Sequence, residues 1–458
     1  MSSGAQPKPV LSLLDSTCLI VGIIIGAGIY QMAPAIASGA GSPLGLLGLW
    51  LLGGLLSLCG ALCYAELATA YPREGGDYVY LSRAYGSWAG FLFGWAQLTV
   101  IRPGDIAVMA FAFALYAREI FDPWAAAWGW SPEASLKGSA AVAVVVLTAI
   151  NVLGVQAGKW TQNLLTLTKA LGLLAVAGAA LAAGPARPGT DAPGVEDPIP
   201  WTLALIFVLF TYGGWNEMAY VAAEVKDAQR NIVRAMVLGM GAVTGLYLLV
   251  NAAFLYTLGF GGLVASEAVA VDVVRVVWPE KAAVLVGLLI CISALGAVNG
   301  LVLTGARISY ALGADYRLFR WLGQWHPRWG TPAVALVVQG VLALGLILVL
   351  GDFVRTVLYT AAAVYGFYLA STLAVWVLRL KEPAVPRPYR TWGYPWTPWL
   401  FAAVCGYLIY SAVQYRPWLA AASALLILTG LPVWWWSRRS GQGRVGPDGP
   451  GSPTQSGV

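Results

Sequence analysis

Ile25-Gly26-Ala27-Gly28-Ile29-Tyr30, inside an apolar run that continues to Pro34, decides how the rest of the chain is read. Two glycines around an alanine leave the backbone bare and weaken helical continuity, so a helix here opens for about one turn. An opened turn frees peptide N–H and C=O groups. In hydrocarbon that is tolerated only where protein encloses the break or a polar guest occupies it. A zwitterion meets the need, its carboxylate taking N–H groups at the positive end of the following half-helix. The alternative for this segment alone is a close helix contact through small residues. A second site of the same kind, Tyr212-Gly213-Gly214-Trp215, lies in another apolar run half a chain away. Paired interruptions in corresponding positions of two halves are the sequence mark of a transporter's binding site.

Composition sets the surroundings. The 458 residues are 59% hydrophobic and 10% charged, against about 25% charged in a soluble domain, so the class is all-α integral membrane. Apolar runs, each near the roughly 20 residues needed to span a bilayer, recur from Leu11 to Trp436. They predict about twelve transmembrane helices, near 11–39, 44–71, 84–117, 139–156, 162–183, 200–223, 232–259, 282–312, 332–350, 354–379, 396–413 and 418–437. Threaded from a cytoplasmic N-terminus, most Lys and Arg fall inside. Only Arg118, Lys137, Arg187, Arg275, Lys281, Arg355 and Arg416 fall outside, which places both termini in the cytoplasm. The net charge of +6 is thereby an orientation signal and leaves no nucleic-acid footprint.

Cys18, Cys59, Cys63, Cys291 and Cys405 all fall within expected spans, without disulfide or metal spacing, and read as buried small hydrophobes. The N-terminal run is too long for a signal peptide and stands as the first span. The Gly-, Pro- and Ser-rich tail after Arg439 reads as disordered.

Charged residues at membrane depth come next, because they are costly and mark function or pairing. Glu66 reads as a gate anchor or as a partner of Arg73 or a loop base. Arg102 and Asp105 flank Pro103 at a spacing of three, where they meet on one face beside a kink; the other reading is an arginine that touches substrate. Lys169 stands about two turns inside the fifth run, deeper than simple snorkelling explains. In the sixth run, Phe210 and Trp215 bracket the Gly-Gly pair as a lid over a small ligand or as packing aromatics. The charged stretch from Glu224 to Arg234 reads as an inner link tying the sixth helix to the seventh through ion pairs. The loop from Tyr71 to Tyr78 reads as an ordered cytoplasmic connection. His326, the chain's one histidine, sits beside Pro327 in solvent-facing sequence and is not catalytic. Tyr365 and its aromatic neighbours belong to a pocket wall or to the core. The last two runs lack charges, which suits a peripheral or dimer-facing pair.

Gly26-Ala27-Gly28-Ile29-Tyr30 with Pro34 resembles the first-helix motif of the amino acid, polyamine and organocation (APC) superfamily of transporters, usually Gly-Ser-Gly-Ile-Phe followed by proline. Phe210 to Asn216, with the run from Glu224-Val225-Lys226 to Arg234-Ala235, is similar to the L-amino-acid transporter branch. Arg102-Pro103, Lys169, Asn299 and the segment from Arg387 to Trp396 agree, so the resemblance covers all but the tail.

It implies a LeuT-type fold, with residues 11–183 and 200–379 as two inverted five-helix repeats and helices 1 and 6 broken. Residues 1–10, 184–199, 380–437 and 438–458 would then be the N-terminus, an outer loop, a linker with two added helices, and the tail. The backbone from Gly26, Ala27 and Gly28 to Ile29 would hold the substrate carboxylate. Carbonyls of Ile24 or Ile25, and of Phe210, Thr211, Tyr212 and Gly213 beside Gly214, would take the ammonium. Phe210 would be the outer gate and Tyr365 a pocket residue. Lys169 would bridge the first and eighth helices where sodium-coupled relatives bind an ion, with Ser293, Asn216 and Glu217 among the gating residues.

Three departures stand out. Ala27 replaces serine. Asp105 and Glu217 bring acids that suit a proton path or a basic substrate. The loop 119–138 lacks the cysteine that joins eukaryotic members to a heavy chain, which implies a stand-alone protein. The resulting expectation is alternating-access, sodium-independent exchange of small to medium neutral L-amino acids in the cell inner (plasma) membrane, with no cofactor, metal or enzymatic chemistry. Proton-coupled symport and a non-transporting amino acid sensor are the rivals.

Overall fold

Runs rich in Leu, Ala, Val and Gly, with little charge, leave the backbone no partner in hydrocarbon but itself, and they fold as helices. The computed structural model describes residues 8–127, 129–186, 198–350, 353–415 and 417–439. The expectations for residues 440–458, for Arg187 and for Arg416 lie outside the described residues, and the side chains of Arg118 and Arg355 are likewise not described. Among the described residues ten helices are long and apolar enough to cross a membrane. The remaining two expected spans differ for physical reasons. The ninth is a shorter apolar helix, and the sixth is broken into two pieces too short to qualify.

The first span is α1 (Leu13–Ile24), α2 (Gly28–Gln31) and α3 (Ala33–Ala40). A capping box between Ser12 and Asp15 starts α1, and Gly41 in the left-handed region at φ 68° ends α3. Then come α4 (Pro43–Ala70), the short α5 (Asp77–Tyr85) and α6 (Ser87–Ala96). A π-helical turn over Gln97–Ile101 leads into α7 (Arg102–Ala127). The irregularity expected at Pro103 therefore falls in the turn before it, where the proline's missing N–H and ring displace the hydrogen-bond ladder. The first half closes with α8 (Pro132–Val152) and α9 (Val155–Ala183).

The second half opens with α10 (Trp201–Thr211) and a 3-10 segment over Trp215–Glu224, followed by α11 (Ala228–Ala265), the short α12 (Val269–Val277) and α13 (Ala282–Asp315). The chain ends in α14 (Ala333–Leu350), α15 (Phe353–Lys381), α16 (Trp396–Tyr415), α17 (Pro417–Leu428) and α18 (Gly430–Arg439). The two broken spans sit at the centre. α1 packs on α9, α11 and α13, and α10 packs on α3 and α4.

The end of the bundle carrying the first described residues is tied shut. The N–H groups of Val10 and Leu11 donate to the Glu224 carbonyl at 2.8 Å, and Lys226 N donates to Leu11 O at 2.9 Å. Glu224 forms a bidentate pair with Arg307 of α13, both side chains 1% exposed. The inner link thus fastens the sixth span to the eighth, where the sequence suggested the seventh; Arg307 supplies a buried cation that a surface residue of α11 does not. Glu66 pairs with Arg379 at 2.7 Å and lies 3.6 Å from Arg387, and it accepts Thr391 N at 2.6 Å. Its partners are bases near and beyond the end of α15, not Arg73. Arg83 and the Tyr71 hydroxyl meet on Glu382.

Candidate functional site

At the first break the helix ends at Ile24, and Ile25 has ψ 85°, outside the helical range. At the second, Tyr212 caps α10 and Gly214 turns through φ 110°, a conformation that a Cβ resists. The two breaks touch. A Cβ placed on Gly214 falls 2.6 Å from Ile23 Cγ2, and one on Gly28 falls 3.0 Å from Thr211 Oγ1. Glycine at both positions is what lets the two opened backbones approach. Tyr247 of α11 clasps them, its hydroxyl donating to Ile24 O at 3.1 Å and to Thr211 O at 3.4 Å.

Lys169 of α9 is fully buried, and its ammonium donates to three carbonyls: Gly22 and Ile25 at 2.7 Å and Ser293 at 2.8 Å. Ser293 Oγ donates to Ile25 O at 2.9 Å and Gly26 O at 3.1 Å. The break is therefore spanned by a cation from α9 and a hydroxyl from α13. The Ile25 carbonyl, one of the two expected for the substrate ammonium, already carries these bonds, and that of Ile24 takes Gly26 N and Tyr247. Thr211 Oγ1 returns to Phe207 O, and the Tyr212 hydroxyl donates to Trp50 O at 3.0 Å.

Beside the breaks lies a cavity of about 140 Å³. Of the residues expected to bind or gate, Phe210, Gly213, Gly214, Tyr365 and Glu217 line it. Ile24 to Ile29, Thr211, Tyr212, Lys169, Ser293 and Asn216 are not among its lining residues, and Ile23 represents the first break on it. Tyr368, one of the aromatic neighbours of Tyr365 read as a pocket wall or core, lines it as well, while sequence reading missed the eleventh span. Phe401, Val404 and Leu408 of α16 line the cavity, and Phe401 meets Trp215 edge-on at 5.4 Å. α16 is thus part of the site, a correction to its expected peripheral place.

The guanidinium of Arg102 bonds Glu217 and not Asp105, whose charge it still feels. Arg102 Nη1 donates to both oxygens of Glu217 at 3.0 Å, and the Thr304 hydroxyl donates to the same carboxylate. Glu217 is thereby spent inside the protein. Asp105 also faces the cavity, and among the described residues it forms no hydrogen bond or ion pair. Below this pair the Asn216 amide donates to the Tyr220 hydroxyl and accepts from that of Tyr368, both near 2.8 Å. Tyr220 donates in turn to Asp77 at 2.8 Å, which also accepts Tyr64 and Ser371. The loop read as an ordered cytoplasmic connection thus delivers a fully buried carboxylate. Burial pushes Asp77 up to about 6, against the pull of its three hydroxyl donors. His326 stacks on Trp329 away from all of this.

This architecture has counterparts among known proteins. The profile described as "Amino acid permease" matches residues 11–435. The chain belongs to the amino acid permease family. The permease is 31% identical over 429 residues to the b(0,+)-type amino acid transporter 1 of Mus musculus, covering 92% of this chain and 86% of that one. It is 30% identical to the serine/threonine exchanger SteT of Bacillus subtilis over 431 residues, 93% and 96% of the two chains. Large neutral amino acids transporter small subunit 2 of Homo sapiens is 31% identical over 443 residues, 94% of the permease and 81% of the relative. The resemblance to the APC superfamily and its L-amino-acid branch is met, and the protein is a multi-pass membrane transporter and not an enzyme.

Proposed function

We propose that this permease exchanges small to medium neutral L-amino acids across the plasma membrane by alternating access, independently of sodium. The observation that carries the reading is the contact between the two broken helices, Gly214 against Ile23 and Gly28 against Thr211, beside a cavity that takes one small solute. Breaks in the first and sixth spans support the LeuT-type arrangement, with 11–183 and 200–379 as the repeats and 380–437 added. Lys169 supports sodium independence, because a cation in that position would meet carbonyls already bound to an ammonium and would be repelled by its charge. The Lys and Arg bias supports cytoplasmic termini, so the latch of Glu224 and Arg307 would close the inner side. The absence of cysteine between 119 and 138 supports function without a disulfide-linked heavy chain.

Counterflow tests this. In liposomes containing the purified full chain, labelled L-amino acid enters only when unlabelled amino acid is inside, and it does so equally in sodium and in potassium. The carboxylate of Asp105 favours a second reading, proton-coupled uptake. Entry into empty vesicles that follows a pH gradient would replace exchange with that reading.

A further inference from the structure

Glu74 sits at the junction on which the tied end of the bundle depends. Its loop is pressed between the second piece of the sixth span and α13. Gly75 N donates to Tyr220 O at 3.2 Å, and a Cβ on Gly75 would fall 2.8 Å from that of Ala311. A Cβ on Gly76 would fall 2.6 Å from the Tyr220 ring. Any parting of the 3-10 segment from α13 therefore opens this loop to water.

The Glu74 carboxyl points into that junction: its Oε1 is buried and forms no hydrogen bond among the described residues. Every neighbouring element brings it a charge or a titratable group. Arg73 comes from the loop itself, Glu224 from the 3-10 segment, and Arg307 from α13, with the Tyr310 hydroxyl of α13 also within its field. Glu224 and Arg307 are committed to each other by bonds of 2.6 and 3.1 Å, and Arg73 is exposed. The nearby carboxylates Asp77 and Asp315 accept tyrosine and serine hydroxyls instead. Burial pushes Glu74 up to about 7, the Glu224 charge adding to the rise, against the pull of its own backbone N–H and of Arg307 and Arg73.

An ionised Glu74 places a second buried carboxylate beside an arginine already held by the first, a cost that the neutral acid avoids. Water entering as Glu224 and Arg307 part removes that cost. We propose that Glu74 is the proton-sensitive element of this latch, a positioning residue that leaves Glu224 and Arg307 closed while neutral and favours their parting once ionised. The inference rests on the alternating-access reading, in which this end has to open. Linkage gives the sign. The closed state holds a proton that the opened state, with Glu74 back at its ordinary value of 4.5, has released, so opening becomes easier as pH climbs from about 4.5 to 7 and then levels off.

Amide hydrogen exchange of the full chain in detergent reads the latch directly, because the N–H groups of Val10, Leu11 and Lys226 are bonded across it. Peptides carrying them are compared between wild type and Glu74→Gln at each pH, which cancels the intrinsic pH dependence of amide exchange and the titration of Asp77. From about pH 5 to about pH 7.5 the wild-type-to-variant ratio of exchange rates is expected to rise about tenfold or more. A ratio that stays constant overturns the proposal and leaves Glu74 a packing residue. A falling ratio overturns it as well, since ionised Glu74 would then be a second partner that tightens Arg307. Glu74→Ser gives the same comparison where the glutamine variant does not fold. Exchange of labelled L-serine in liposomes is measured alongside: its absence overturns the exchange reading, while the amide ratio decides the role of Glu74 by itself.

Discussion

The ammonium of Lys169 lies 2.7 Å from the carbonyl oxygen of Ile25, the residue at which the first membrane helix comes apart. Two further carbonyls, Gly22 on the same helix and Ser293 on α13, complete its coordination. One side chain thus ties the broken helix to α9 and α13.

Replacing Lys169 with Met removes three charge-assisted bonds and leaves the Gly22 and Ser293 carbonyls buried without this donor, each bond to a charged group being worth about 1.5–3 kcal/mol. The cavity wall itself is untouched, since Lys169 is not part of it. Exchange rate in liposomes should fall by about tenfold or more while equilibrium binding of the same amino acid falls by less. Unchanged exchange would remove Lys169 from the mechanism.

Gly214→Ala tests the contact between the breaks. The left-handed backbone costs a non-glycine residue about 1–2 kcal/mol. The new methyl also meets Ile23 Cγ2 at 2.6 Å, on a β-branched side chain with little rotamer freedom. Overpacking of that kind adds about 1–3 kcal/mol. Thermal stability in detergent and exchange should both fall. Gly241→Ala in α11, where a Cβ meets nothing within 4 Å, should be neutral or stabilising. Equal behaviour of the two variants would show that the approach of the breaks is not tight.

The breaks were legible because glycine pairs in apolar runs have few structural excuses, and Lys169 because an ammonium so deep has fewer. Pairings across the chain were not. Arg102 has Asp105 three residues away and prefers Glu217, 115 positions on, because the 3-10 segment after Gly214 turns that carboxylate into the bundle. Glu66 finds Arg379 across 313 positions because α4 and α15 pack against each other. Asp77 was hidden by its context: Gly75-Gly76-Asp77 has the composition of a surface turn. A usable signal was the surplus of tyrosines in apolar runs, Tyr64, Tyr220 and Tyr368, whose hydroxyls need buried acceptors.

The pair of Glu224 and Arg307 yields a stability prediction. Both side chains are 1% exposed, so neutralising one leaves the other's charge buried without its bonded partner. Glu224→Gln should destabilise by about 3–5 kcal/mol. The double variant Glu224→Gln with Arg307→Met removes the stranded charge and should recover most of that loss. Denaturation of the wild type, Glu224→Gln, Arg307→Met and the double variant in one detergent gives the coupling energy, and additive losses would mean that the two groups do not act as a pair.

Asp77 should make stability depend on pH in a direction opposite to that of a salt-bridged carboxylate. Its ordinary value is 3.8, and in the folded protein burial raises it to about 6 despite hydrogen bonds from Ser371, Tyr64 and Tyr220. Between these values the folded state holds a proton that the unfolded chain has lost, so the Asp77 contribution to stability declines as pH climbs from about 4 to 6 and then levels off. A displacement of about two pH units corresponds to about 3 kcal/mol. Asp77→Asn cannot ionise and should lack this component. The difference between wild-type and Asp77→Asn thermal stability should therefore shift in the variant's favour across that window and stay constant above about pH 7, apart from the offset of hydroxyls donating to an amide. A wild-type curve that rises from pH 4 to 6 relative to the variant would mean that the three hydroxyls outweigh burial and that Asp77 is held ionised.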